Sequence, residues 1–440
     1  MKIGFVSLGC SKKLVDTEFM MGSLIQAGHQ IVNHTDDADA VIVNTCGFIN
    51  DAKEEAIFEI LQIGSQKKSS RAKILIATGC LTQRYAKELW DEIPELDAIL
   101  GVTDQERIAE IVERCANGER ILIVENWPTQ YNVSGSRILS TPPGWAYLKI
   151  AEGCSNHCSY CAIPGIRGPL RSRPESGLVE EAYWLAGQGV KELIVIAQDT
   201  TAYGSDLPDS NLVNFLAALI KVPDIEWIRL MYAYPSAITD DLLEIMSNSK
   251  VLPYLDIPIQ HASSPILQRM GRRYNNEELF SIIDRLRSRI PNITLRTTLM
   301  TGFPGENQQD HQRNIELLRQ IRFDWAGVFT YSHEDGTAAA KYSDDVDAHT
   351  KQARADELMV IQQEITSRIN QARVGLKIPV LVENQIRPQS YLCRAWFQAP
   401  EVDGLCIIES EKQLKIGSFV DVKLTHAEGY DMIGIAINRQ

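Results

Sequence analysis

The sequence predicts an α/β protein in three parts: an N-terminal open parallel-sheet domain, a central partial (β/α)6 barrel and a small C-terminal β-barrel. Three observations lead there. Apolar, β-branched runs alternate with helix-period segments from residue 2 to about residue 125. Six more such pairs follow from residue 145, and after one long helical stretch the chain turns to five short strands separated by turn residues. At 440 residues, 44% hydrophobic and 23% charged, the chain can bury several cores. The expected boundaries are 1–125, a linker over 126–144, 145–373 and 374–440.

In the first part, "KIGFVSLGC", "AVIVNTC" and "AKILIATGC" each run an apolar stretch into a cysteine, at Cys10, Cys46 and Cys80. These read as parallel strands buried on both faces. Between them, "LVDTEFMMGSLIQAG" and "DAKEEAIFEILQIGSQ" have helical spacing, and Gly28 suits the end of the first. The cysteines recur 36 and 34 residues apart, one strand–helix–connection each. In an open parallel sheet all strand carboxyl ends share one edge, where ligands bind, so the three cysteines become neighbours. A single cysteine ending a strand is usually a small buried hydrophobe. Three at the same structural phase point to a metal site.

"NWPTQYNVSGSRILSTPPG", residues 126–144, has the Pro, Gly and polar content of a linker. The six strands expected beyond it lie in "AYLKIAEGC", "KELIVIAQDT", "IEWIRLMYAYP", "YLDIPIQHAS", "ITLRTTLMTGFPGE" and "DWAGVFTYS". The first runs into "EGCSNHCSYC", with Cys154, Cys158 and Cys161 separated by three and then two residues. Three thiolates suit a four-iron cubane whose fourth iron stays open. A zinc site completed by His157 is the alternative. It is disfavoured because His157 abuts Cys158 and a second three-cysteine set also lacks a fourth ligand.

The terminal segments "KIPVLVEN", "SYLCRAWF", "GLCIIES", "SFVDVKLTHA" and "DMIGIAINR" resemble a barrel of oligonucleotide-binding type. From Val374 to Gln440 there are seven Lys and Arg against eight Asp and Glu, so no basic groove is evident. Cys393 and Cys406, in strands, and Cys115, in a helix, read as packing residues. The net charge of −13 argues against coating nucleic acid or anionic membrane by bulk charge. "MKIGFVSLGC" lacks a signal-peptide pattern and no apolar run reaches membrane-spanning length, so a cytoplasmic protein is expected. Thiols stay reduced there, which favours ligand cysteines over disulfides.

The Cys-x3-Cys-x2-Cys spacing after the first strand of a six-unit β/α barrel resembles the radical S-adenosylmethionine enzymes. With Cys10, Cys46 and Cys80 ahead of it and a small barrel of TRAM type behind, the whole chain resembles the methylthiotransferase family. Most members modify transfer-RNA adenosines; one branch modifies an aspartate of small-subunit ribosomal protein 12. "SLGCSKKLVDTE" resembles the ribosomal-protein branch, as do "VIVNTCGFI", "YLKIAEGC", "IPGIRGPLRSRP", "LDIPIQHAS" and "GFPGE". Lys13 stands where that branch's pattern has Asn, and Thr17 where it has Ser.

The resemblance implies two 4Fe-4S clusters. Cys154, Cys158 and Cys161 would hold the one that binds S-adenosylmethionine and generates a carbon radical at the unactivated aspartate β-carbon. Cys10, Cys46 and Cys80 would hold an auxiliary cluster carrying the sulfur, which a second S-adenosylmethionine methylates. It also implies a reductant such as flavodoxin or ferredoxin, a sulfur donor, and no membrane. Gly302 and Gly305 in "TGFPGE" resemble a cofactor-contacting motif, though Gly and Pro also make plain turns. Gln198, with Asp199, ends the second barrel strand and faces the same edge; Gln260 and His261 end the fourth. Arg167, Arg171 and Arg173 are expected to be solvated or to pair with cofactor or substrate carboxylates. Two other readings remain: a transfer-RNA adenosine methylthiotransferase, with transfer RNA as partner, and a non-catalytic iron–sulfur electron carrier.

Overall fold

The computed structural model describes residues 1–67, 71–131 and 136–437. Residues 132–135, within the expected linker, lie outside the described residues. The chain forms two compact units: Met1–Ser140 with Ala151–Arg173 and Ser332–Ala340, and Thr141–Ile150 with Pro174–Tyr331 and Lys341–Gln440.

The first unit is a six-stranded sheet of β1 (Lys2–Ser7), β2 (Gln30–Val32), β3 (Ala40–Thr45), β4 (Ile74–Gly79), β5 (Ala98–Leu100) and β6 (Ile121–Ile123). Its order is β2-β1-β3-β4-β5-β6, with every neighbouring pair parallel. Helices α1 (Ser11–Gln26), α2 (Asn50–Gln66), α3 (Cys80–Glu92) and α4 (Ile108–Ala116) cover both faces. Alternation along the strands explains the split: Ile42 and Ile76 pack with Met20, Leu24 and Ile111, while Val41, Val43 and Leu75 pack with Ala56, Ile60 and Leu89. Cys115 sits in the first of these cores, as a packing residue. α1 ends in a Schellman motif: Gly28, at φ +85°, donates to Ile25 O, and His29 N donates to Leu24 O.

Residues 136–140 lie along α1. Glu18, fully buried, accepts from Arg137 Nε at 2.7 Å and from Ser140 N and Oγ at 2.7 and 2.8 Å. A buried carboxylate needs such partners to offset its lost hydration.

The second unit contains six parallel strands in chain order: β7 (Trp145–Lys149), β10 (Glu192–Ile196), β11 (Trp227–Leu230), β12 (Val251–Asp256), β13 (Thr294–Thr301) and β14 (Trp325–Thr330). They form an open, partial barrel. The intervening β8 (Ala151–Glu152) and β9 (Arg171–Ser172) pair antiparallel in the first unit and pin the ends of the Cys154 loop. After the helix Ala348–Arg373, five strands, β15 (Lys377–Arg387), β16 (Ser390–Ala395), β17 (Cys406–Glu409), β18 (Phe419–Glu428) and β19 (Asp431–Ala436), close a barrel in the order β15-β16-β17-β19-β18. Cys393 and Cys406, facing each other across β16 and β17, are fully buried in it. Among the described residues no helix is long and apolar enough to cross a membrane.

Candidate metal centre

The carboxyl ends of β1, β3 and β4 bring Cys10, Cys46 and Cys80 together. β1 and β4 both pair with β3, so the three loops are adjacent. Cys46 follows β3 directly, Cys80 is the first residue of α3, and Cys10 is the N-cap of α1. The loops approach at backbone distance. A Cβ on Gly9, at φ +101°, would sit 3.1 Å from Cys46 Sγ, and one on Gly79, at φ +110°, would sit 2.5 Å from Thr45 O. Only glycine combines that conformation with that proximity.

The charge around the thiols is positive. Burial opposes ionisation of Cys10, but Lys12, Arg167 and Lys13 outweigh it and hold its pKa below the ordinary thiol value, while the residue stays solvent-exposed. At Cys46 burial wins over Lys13 and pushes the thiol up. Lys13 is 1% exposed, and its Nζ has no hydrogen-bond partner. Asn44 fixes this helix start, its Nδ2 donating to Lys13 O at 3.1 Å and to Thr17 Oγ1 at 2.9 Å.

Cys154, Cys158 and Cys161 lie in the same unit, all half-buried, in the loop between β8 and β9. The loop is fastened by Cys154 N donating to Gly168 O at 3.1 Å and Ala339 N donating to Ser159 O at 2.7 Å. The short helix α5 (Ile163–Arg167) follows, and its Ile166 packs with Ala162, Cys80 and Val102. Arg167 ties this loop to the first cysteine set. Buried to 2% exposure, it donates from Nε to Cys80 Sγ at 3.4 Å and pairs with Glu152 at 2.5 Å and Asp16 at 2.9 Å. Burial works against its charge, but Cys80, Glu152, Asp16 and Cys10 together raise its pKa well above the ordinary value. Its carboxylate partners are thus the protein's own. Arg171 similarly donates to Arg167 O at 2.7 Å.

The segment Ser332–Ala340 joins the unit through buried Glu334, which accepts from Arg84 at 2.7 Å and Lys53 at 2.9 Å. Sequence reasoning missed Glu334, Asp16 and Glu152. Glu152, two residues before Cys154, carried the only local signal.

His157 is exposed, in a left-handed conformation at φ +53°. Among the described residues no three His, Cys, Asp or Glu side chains converge on a point that could hold a single ion. A polynuclear cluster takes each thiolate on a different iron, so its ligands need not converge. Two triads of free cysteines, one ringed by cations and holding an orphaned buried ammonium, fit clusters of that kind.

Gln198, Gly302 and Gly305 lie in the second unit, beyond β10 and β13. Gln198 is half-buried beside Asp199, which accepts from Thr201 N at 3.0 Å. Gly302, at φ +69°, donates to Glu306 Oε2 at 2.7 Å, and a Cβ there would meet Lys351 Cγ at 2.0 Å. Gly305, at φ +84°, lies under the Arg269 guanidinium and donates to Asp345 Oδ1 at 2.8 Å. Both glycines therefore have local structural causes. His261 is fully buried, its Nδ1 accepting from Ser263 N at 2.8 Å and its Nε2 lying 3.0 Å from Asn314 Nδ2 and 3.6 Å from Glu306 Oε2, so its contacts are with neighbouring side chains and backbone.

Comparison with known proteins agrees with this arrangement. Residues 2–101 match the uncharacterized protein family UPF0004, 148–318 the radical SAM superfamily and 374–437 the TRAM domain. The chain is 50% identical over 436 residues to ribosomal protein uS12 methylthiotransferase RimO of Syntrophomonas wolfei, covering 99% of both chains. It is 47% identical over 439 residues to the protein of that name from Lachnoclostridium phytofermentans, covering 99% of this chain and 100% of that one. Among solved structures, the radical S-adenosylmethionine methyltransferase TsrM from Kitasatospora setae superposes with a TM-score of 0.59 at 12% identity, covering 77% of this chain and 73% of that one. The cobalamin-dependent S-adenosylmethionine radical enzyme OxsB gives 0.52 at 12% identity, covering 83% and 56%. These two likenesses concern the fold alone. By its full-length identity to the curated relatives, the chain belongs to the ribosomal protein uS12 methylthiotransferase RimO family, within the radical SAM superfamily.

Proposed function

We propose that this protein is a radical S-adenosylmethionine methylthiotransferase that places a methylthio group on the β-carbon of an aspartate in ribosomal protein uS12, in the cytoplasm. The observation that carries the reading is 50% identity over 99% of both chains to a protein of that activity. Cys154, Cys158 and Cys161 hold one 4Fe-4S cluster, and Cys10, Cys46 and Cys80 hold a second. The clusters and S-adenosylmethionine, when bound, supply one-electron chemistry at a carbon with no acidic proton, together with the sulfur and the methyl group.

The chain's own residues prepare the sites. β8 and β9 clamp the ends of the Cys154 loop, and Arg167 fixes that loop to α1 through Asp16 while donating to Cys80. Positive charge near Cys10 favours the thiolate that a metal requires. Beyond β10 and β13, Gln198 and the backbone at Gly302 and Gly305 contact the cofactor. Electrons come from a carrier such as flavodoxin or ferredoxin, and sulfur from a separate donor.

The test uses the full chain, reconstituted anaerobically with iron and sulfide. Replacing Cys154, Cys158 and Cys161 by Ala should abolish S-adenosylmethionine cleavage. Replacing Cys10, Cys46 and Cys80 by Ala should leave cleavage and abolish methylthio transfer to uS12. Loss of cleavage in the second variant, with the fold intact, would overturn the division between the two sites.

A further inference from the structure

We propose that Lys13 is a positioning residue for a cluster on Cys10, Cys46 and Cys80: its ammonium supplies N–H donors and a compensating positive charge to the cluster's thiolates and sulfides, raising the reduction potential. The inference rests on the assignment of those three cysteines as ligands.

An ammonium carries three donors and is costly to bury without acceptors. Lys13 is nonetheless 1% exposed, and its Nζ has no hydrogen-bond partner. Among the described residues it forms no ion pair, whereas Arg167 is answered by Asp16 and Glu152. Its position is fixed at both ends. Asn44 holds the Lys13 carbonyl, and Nζ reaches to 2.6 Å from where a Cβ on Gly79 would stand. A side chain at residue 79 would therefore expel it, and Cys80 is the next residue. Asn44 Oδ1, also without a partner, lies 2.6 Å from the same point. Burial holds the Lys13 pKa below the ordinary lysine value, and among the charges that act on it the thiols of Cys80, Cys46 and Cys10 favour the ammonium while Arg167 opposes it. Three thiolates carry three negative charges, and reduction adds another. A fixed cation beside them favours the reduced form.

The experiment places Lys13→Met, Lys13→Asn and Lys13→Arg in a full-length C154A/C158A/C161A background, so that only the second cluster is read. Iron and sulfide are counted, the midpoint is followed by spectroscopically monitored redox titration, and the iron-free proteins are melted. We expect the iron-free K13M protein to unfold at a higher temperature than its parent, because an uncompensated buried charge has gone. Loaded K13M and K13N should show at least a tenfold lower reduction equilibrium constant, about 59 mV for a one-electron couple, with K13R close to the parent. Failure of K13M alone to retain iron would also support the charge requirement. An unchanged midpoint in loaded K13M, or a lower melting temperature in iron-free K13M, would overturn the proposal. A parent background that binds no iron would instead refute the cysteine assignment.

Discussion

Replacing Arg167 by Met tests the device that joins the two cysteine loops. The substitution keeps an unbranched stem of similar bulk but removes the guanidinium, which is 2% exposed and faces Asp16 and Glu152 side chains that are 7% and 6% exposed. Removing one partner of a buried ion pair costs about 3–5 kcal/mol, because the remaining charge stays desolvated. One guanidinium here answers two carboxylates and also donates to Cys80 Sγ, so the upper part of that range applies. Lys at this position keeps the charge but not the planar fork, and should recover only part of the loss. A global melt reports on the whole chain, so the local effect is read separately. Hydrogen exchange of peptides from residues 151–173 in the iron-free protein reads the effect locally. At 1.4 kcal/mol per factor of ten, the upper part of the range, about 4–5 kcal/mol, makes R167M exchange there about 700-fold to 4,000-fold faster. Adding D16N and E152Q should restore most of the protection by removing the stranded charges. Less than tenfold acceleration in R167M, or no recovery in the triple variant, would refute the reasoning.

Thiol reactivity should separate the nine cysteines. In iron-free protein at pH 7, alkylation followed by peptide mass spectrometry should label Cys10 first, since it is exposed and its pKa is lowered. Cys115, pushed up to about 11, Cys406, to about 12, and buried Cys393 should resist until unfolding. A second expectation concerns pH. Burial raises Asp403 to about 6, against the opposing pull of Arg296 and a hydrogen bond from Tyr254. The unfolded carboxyl titrates at about 3.9, so between those values the folded chain holds the extra proton. Asp403 therefore adds stability as pH falls through 6 toward 4 and costs stability above 6. Comparing urea midpoints of the wild type and D403N from pH 4 to 7, read by pulsed hydrogen exchange of peptides from residues 377–409, should show this slope in the wild type and a flatter one in D403N. Equal slopes would remove Asp403 as the cause.

What the sequence allowed to be read depended on how local the cause was. β1, β3 and β4 are parallel strands buried on both faces, so they appear as continuous apolar runs, and the shared edge of a parallel sheet was enough to gather Cys10, Cys46 and Cys80. β2, β5 and β6 span three residues each, too few to show a period, and were not read. The five strands of the terminal barrel were legible because turn residues punctuate them. Charged residues were the blind spot. Arg167 reads as a loop arginine, solvated or paired with a cofactor or substrate carboxylate, and Lys13, Asp16 and Glu152 show no local sign of burial, yet all four are buried. Their burial follows from long-range packing of residues 151–173 with residues 1–140, which no window of sequence displays. The same limit applies to Gly302. Its motif suggested close approach to a ligand, whereas the neighbour that requires glycine is Lys351, far along the chain.

The measurement that tests the central claim most directly is the intact and peptide mass of ribosomal protein uS12 from cells with and without this gene. The account predicts one methylthio group in place of one hydrogen, localised to a single aspartate and present only when the gene is expressed. Identical uS12 masses in the two strains, with a methylthio group missing from transfer-RNA adenosine in the deletion strain, would contradict it and move the same chemistry to another substrate.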